Sequence, residues 1–463
     1  MLRRPFQIAI IPLLCTALLF SCSEPAAVGT AIRNVTIIDA MQGVRTAQTV
    51  LFDADRILAV QDARLPVDAA EVIDGTGKYL IPGLWDFHVH LTYDERLTVA
   101  MPALFLHWGI TSVRDTGGLM DEILPVVEAM RATGSIAPRV FFAGPLLDGD
   151  DVVYNGVGRP EIGIAVPTPE AAARIVTELQ NQGVDFIKIY EMVRPEVFAA
   201  LVAAAEAAGL PIDSHVPLAL RARTAGPQVD SIEHLRNLEM DCAVNAESLL
   251  AERLQVLQNP AGVPGADLRA SLHSLQRLPA VIAYDETECD AVIAAMADTV
   301  MVPTLRLNSI NLVPPWERAD WNEALAQLPD EVRMEFESQS ASRRADVPTD
   351  ITFAEWSLFL TGRMLAAGVP IGAGTDTPIN LSIPGYSLHE ELEMLVRAGL
   401  TPLQAIESAT LVPAKYFSRE AEMGSIEVGK VADMVLLSAD PLADISNARR
   451  IEHVIIKGQV LTR

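Results

Sequence analysis

Residues 184–216 read VDFIKIYEMVRPEVFAALVAAAEAAGLPIDSHV. Two apolar runs of strand length, 184–190 and 211–216, enclose an Ala/Leu/Glu-rich stretch at 195–208 with helical spacing. The pattern is strand, helix, strand. A central parallel strand is buried on both faces and is therefore nearly all apolar. Lys188, in the middle of the first run, breaks that rule, and His215 lies at the end of the second. Similar runs fall at 79–87, 110–114, 139–143, 229–234, 300–305 and 369–375, with further helical stretches such as 169–182 between them. Eight strands alternating with helices over 79–420 predict an α/β protein built on a (β/α)8 TIM barrel. A doubly wound open sheet is the alternative. The stretches 236–299 and 306–360 are long for simple crossovers and predict extra helices over the barrel mouth.

The two ends read differently. Short strands at Ala31–Ile38, Thr49–Phe52, Ile57–Val60 and Glu71–Ile73 are mirrored at Asp433–Leu437, His453–Lys457 and Gln459–Leu461. They predict a small β-sandwich domain from both ends, residues 23–78 and 421–463. Of the 463 residues 50% are hydrophobic and only 5% aromatic, a mixture that suits a parallel α/β protein. The net charge of -25 repels nucleic acid, so no nucleic-acid partner is expected.

Arg3 and Arg4 precede an apolar run, Ile8 to Phe20, which is the layout of a secretory signal. The run ends Leu19-Phe20-Ser21-Cys22-Ser23 and resembles the bacterial lipoprotein box. Residues 1–22 would then be the signal peptide, and Cys22 the lipidated first residue of an exported cell-envelope protein held to the membrane by its acyl chains. Cys15 leaves with the signal. Cys242 and Cys289 remain and could pair in an oxidising compartment; neither lies in a metal-binding cysteine pattern.

The ionisable residues gather at strand ends, where a barrel places its active site. His88 and His90 share one face of the first strand, in Trp85-Asp-Phe-His-Val-His90. Lys188 lies on the fourth strand, His215 on the fifth, His234 on the sixth and Asp376 on the eighth. Lys188 reads either as the partner of a barrel acid or as a carbamate formed with carbon dioxide, whose two oxygens can bridge two cations. The set offers nitrogen and oxygen ligands suited to zinc or a similar divalent ion.

The chain resembles the amidohydrolase superfamily in its binuclear, carboxylated-lysine branch. The runs that carry the likeness are Leu80-Ile-Pro-Gly-Leu84, Gly109-Ile-Thr-Ser-Val-Arg-Asp-Thr-Gly117 and Ser231-Ile-Glu-His234. Gly372-Ala-Gly-Thr-Asp376 and Ile426-Glu-Val-Gly-Lys-Val-Ala-Asp433 complete them. It is similar to imidazolonepropionase-related and prolidase-like members, many of which cleave dipeptides or N-acyl amino acids. Glu191-Met192-Val193 departs from the Gly-rich turn expected of the prolidase-like members.

The resemblance implies two divalent ions, Zn2+ by preference, on His88, His90, Lys188, His215, His234 and Asp376. It also implies a catalytic pair, Asp376 and His234, hydrolysing an amide or peptide bond of a small-molecule substrate with a metal-activated hydroxide. Arg114, Tyr190 and His389 are the candidate substrate contacts. His107, His273 and His453 read as structural. The rival functions are a mononuclear deaminase, a lactone or phosphotriester hydrolase, and a non-catalytic surface binding lipoprotein. Self-association into a homo-oligomer is left open.

Overall fold

The computed structural model describes residues 29–345 and 350–462. The signal-peptide reading and Cys22 therefore lie outside the described residues. Within them the chain is an α/β protein in which a flanking sheet adjoins a ring of parallel strands.

The flanking sheet takes Thr30–Asp39, Gly43–Asp53, Arg56–Asp62, Glu71–Asp74 and Tyr79–Pro82 from one end of the chain. It takes Met434–Leu437, Ile451–Ile456 and Gln459–Thr462 from the other. All eight form one hydrogen-bonded sheet. The two ends meet where Met434–Leu437 pairs antiparallel with Tyr79–Pro82. Side chains alternate across a strand, and here the alternation serves two cores. Leu80, Met434 and Leu436 pack inside the sheet with Ile32 and Phe52. Ile81, Val435 and Leu437 face the main core.

The ring begins two residues after Pro82, at Leu84. Its strands are Leu84–Val89, Ile110–Asp115, Arg139–Phe142 continued by Leu146–Asp148, Ile187–Ile189, Ile212–Ser214, Ser231–Glu233 and Val300–Val302. Every pairing among them is parallel. Segment 369–377 carries the pairings back to the start. Gly372 N donates to Met301 O (2.9 Å), Phe87 N to Ala373 O (2.9 Å) and His90 N to Thr377 O (2.9 Å).

The single strand expected over 79–87 is thus two strands in different sheets, divided at Gly83. A side chain there has no room, since a Cβ would lie 2.1 Å from Thr111 Oγ1. The outer helices are amphipathic with clear ends. Pro169–Asn181 buries Ala171, Ala172, Ile175, Val176 and Leu179, and its Thr168 cap accepts from Ala171 N. Pro195–Ala208 stops at Gly209, in the left-handed conformation (φ 66°).

The extra helices expected over the mouth are present. Ala246–Val256, Gly265–Ile282 and Glu286–Ala295 precede Val300–Val302; Trp321–Leu325, Asp330–Ala345 and Thr352–Ala366 follow it. Cys242 and Cys289 are disulfide-bonded, with Cα atoms 4.1 Å apart, and pin the first group. No helix among the described residues is long and apolar enough to cross a membrane.

Candidate metal centre

The strand tips bring four imidazoles and one carboxylate together. His88 Nε2 and His90 Nε2 each lie 3.2 Å from Asp376 Oδ1, and His234 Nε2 lies 3.9 Å from Asp376 Oδ2. Donor atoms of His88, His90 and Asp376 all fall within 4.8 Å of one another. The His234 ring centroid is 4.7 Å from that of His88 and 4.8 Å from that of His215. Backbone contacts set this convergence. Gly374 lets the Asp376 segment approach, because a Cβ there would lie 2.7 Å from the His88 Cβ. Asp86 fixes the register, accepting from Thr375 Oγ1 (2.6 Å) and Thr375 N (3.0 Å). Asp376 and His234 both sit at positive φ, 61° and 62°, strained backbone of the kind held in place at functional sites.

Each imidazole has its other nitrogen engaged. His88 Nδ1 donates to Glu233, and His90 Nδ1 to Gly117 O at 3.2 Å. His215 Nδ1 donates to Glu191 Oε1 at 2.8 Å. His234 Nδ1 donates to Thr304 Oγ1 at 2.6 Å, while that hydroxyl itself donates to Pro303 O. All four acceptors place a proton on Nδ1, so Nε2 is the nitrogen each imidazole would offer a cation, in His88 after loss of a second proton.

Electrostatics favour the same state for two of them. Burial, aided by the Lys188 charge, pulls His215 down to about 3, and burial holds His234 well below its usual value. Burial also works against a charged His88, but the Glu233 and Asp376 carboxylates outweigh it and raise this imidazole to about 9. Burial alone would raise Asp376; the surrounding His234 and His88 hold it well below the usual carboxylate range.

Lys188 is 1% exposed and its Nζ donates to Asp213 Oδ2 at 2.8 Å. Its ammonium bears on His215 and Glu233, so it lies at the same floor as the imidazoles. Tyr190 packs on His215 with centroids 4.5 Å apart.

Two expected substrate contacts are corrected. Arg114 is fully buried and committed elsewhere. It donates to Phe87 O (2.6 Å), Ser231 Oγ (2.9 Å) and Glu233, and lies 3.8 Å from Asp213. It supports the acid that holds His88 and has no free face for a substrate. His389 points away from the imidazoles, with its Nε2 2.9 Å from Trp108 O. The acid two residues on, Glu391, reaches toward the site instead. It accepts from Leu305 N (2.9 Å) and Arg306 N (2.8 Å), fixing the turn that presents Thr304 to His234.

His273, read as structural, in fact reaches the layer behind the ligands, with Nε2 2.9 Å from Glu191 Oε2. Glu191, the residue that departs from the expected turn, is the hub of that layer. It binds His215, His273 and Arg269, the last at 2.7 Å. Its carboxyl lies well below the usual range: burial opposes ionisation, and Arg269 and His273 outweigh it. Glu191→Ala is therefore expected to weaken metal affinity about 10- to 100-fold, the usual effect of removing such a support. Competition with a chelator measures it, and an unchanged affinity refutes the assignment.

Residues 358–461 match the Amidohydrolase family. Imidazolonepropionase from Symbiobacterium thermophilum is 38% identical over 77 residues, which are 16% of this chain and 18% of that enzyme. A Xaa-Pro dipeptidase solved with methionine in its active site superposes with a TM-score of 0.67 at 21% identity, over 94% of this chain and 100% of the other. Bottromycin amidohydrolase gives 0.68 at 23% identity, over 93% and 86%. These two likenesses show the fold. The family match itself is confined to residues 358–461, and the stretch shared with imidazolonepropionase is less than a fifth of that enzyme's length.

Proposed function

We propose that this protein is a metal-dependent hydrolase that cleaves the carbon–nitrogen bond of a small amide or dipeptide, prolidase-like in preference. The observation that carries the reading is the set of four buried imidazoles whose Nδ1 atoms are all engaged by protein acceptors, with the Nε2 atoms of His88, His90 and His234 turned toward Asp376. Such a donor set fits a divalent ion, with Zn2+ the natural candidate. His88, His90 and Asp376 would hold one ion and His215 and His234 a second, and Lys188, once carboxylated, would supply oxygen ligands to them. When bound, the cations supply an activated water and polarise the substrate carbonyl.

The chain's own residues do the rest. Asp376 accepts the proton of the attacking water and passes it to the leaving nitrogen. His234 orients the carbonyl beside it. The Tyr190 hydroxyl is placed to donate to the developing negative charge on oxygen. The apolar group formed by Tyr190, Tyr154, Met192, Leu218 and Leu268 shields the floor from bulk water. Carbon–nitrogen hydrolysis is favoured over lactone or phosphotriester cleavage by the fold likeness to a dipeptidase and to bottromycin amidohydrolase.

We further read the parallel ring as a (β/α)8 barrel and the flanking sheet, folded over its own core of Ile32, Phe52, Leu80, Met434 and Leu436, as serving in place of the expected β-sandwich. The buried Cys242–Cys289 disulfide supports an oxidising compartment outside the cytoplasm, in keeping with the exported lipoprotein reading. Zinc-loaded protein presented with N-acyl amino acids and dipeptides should release free amino acid, with close to two metal ions bound per chain. No release across the panel by fully loaded protein would defeat the proposal. One ion per chain with ammonia released from aminopurines would favour the deaminase.

A further inference from the structure

Three arginines surround the imidazoles, and two of them are occupied. Arg114 is committed to Phe87 O, Ser231 and Glu233, and Arg269 to Glu191. Arg236 is different. It lies two residues beyond His234, in a turn where His234, Leu235 and Asn237 have φ of 62°, 57° and 68°. Left-handed backbone costs a non-glycine residue about 1 kcal/mol or more, so three such residues in four mark a turn held by its surroundings.

The acid nearest Arg236 is Glu191, at 3.9 Å, beyond hydrogen-bond distance. That same carboxylate already binds His215, His273 and Arg269. Among the described residues, none of the five guanidinium N–H donors of Arg236 has a hydrogen-bond acceptor. Its side chain keeps 24% exposure, against 0% for Glu191 and 3% for His215.

A guanidinium that is 24% exposed with its fork unfilled matches a planar anion, which it binds through two parallel hydrogen bonds. The expected carboxylate partner Arg114 is unavailable, and the geometry points to Arg236 in its place. We infer that Arg236 clamps a carboxylate of the substrate on the His215/His234 side of the site and so selects anionic amides over neutral ones. The assignment rests on the hydrolase reading above.

The test compares a non-hydrolysable phosphinate analogue of an N-acyl amino acid with the neutral carboxamide of the same analogue, each titrated by calorimetry into zinc-loaded protein whose metal content is measured. Wild-type protein should bind the acid about 50-fold more tightly, as expected for charge-assisted hydrogen bonds to a partly buried fork. Arg236→Met should bring the ratio close to one with metal content retained. Arg236→Lys, which restores charge without the fork, should recover part of the preference and covers the case in which the methionine variant misfolds. A wild-type ratio near one, or a preference that survives Arg236→Met, overturns the clamp while leaving the hydrolase reading standing. Wild-type protein that takes up no metal brings down both.

Discussion

Asp376→Asn should lower turnover by about 1,000-fold, equivalent to about 4 kcal/mol in the barrier, with little change in fold. Among the described residues, Asp376 is the one carboxylate within reach of His88, His90 and His234 together. The amide keeps the shape of the side chain, so the Gly374 approach and the Asp86–Thr375 bonds survive. Two properties are lost: an anionic ligand and a proton acceptor. The defect should therefore appear in kcat, with KM nearly unchanged. Steady-state kinetics on metal-saturated variant protein decide it; turnover within ten-fold of wild type would remove Asp376 from the chemistry.

Lys188→Met should abolish turnover and lower the bound metal from two ions toward one. If Lys188 served only as the partner of Asp213, the result would differ. Losing one member of a buried ion pair costs about 3–5 kcal/mol of stability. Arg114, 3.8 Å from Asp213, would offset part of that here. Activity per folded molecule and metal content would then be kept. Unfolding in urea, metal analysis and turnover on the same preparations separate the two roles. Wild-type protein loaded under carbon-13-labelled carbon dioxide should also show a carbamate carbon resonance that the variant lacks. Full metal content and full turnover in the variant would end the bridging role.

Much of this site is legible in the sequence for one physical reason: ionisable residues seldom sit inside apolar parallel strands without a task. Lys188, His215, His234 and the His88/His90 pair all announce themselves that way. What holds them is less visible. Glu191 is sequence-adjacent to the fourth strand, but its partner Arg269 lies 78 residues away on a helix of the mouth. No periodicity links the two. On helix Tyr386–Ala398 the sequence shows a histidine and two acids in a row. Only the way the helix docks decides that His389 meets the Trp108 carbonyl while Glu391 supports Thr304. Arg114 is legible as a buried cation. Whether it faces substrate or acid depends on Glu233, which belongs to a strand distant in the chain.

The run 79–87 shows the same limit in the fold. Its apolar residues are continuous, and nothing in their spacing records that Tyr79–Pro82 and Leu84–Val89 belong to different sheets. That junction ties the far tail of the chain to the chemistry. A single glycine couples the strand zipped to Met434–Leu437 with the strand that carries His88. The tail is therefore a clasp on the floor that carries His88. Trimming it would unfasten an edge, expose Leu80 and Ile81 to pairing with other molecules, and loosen the first ligand from behind.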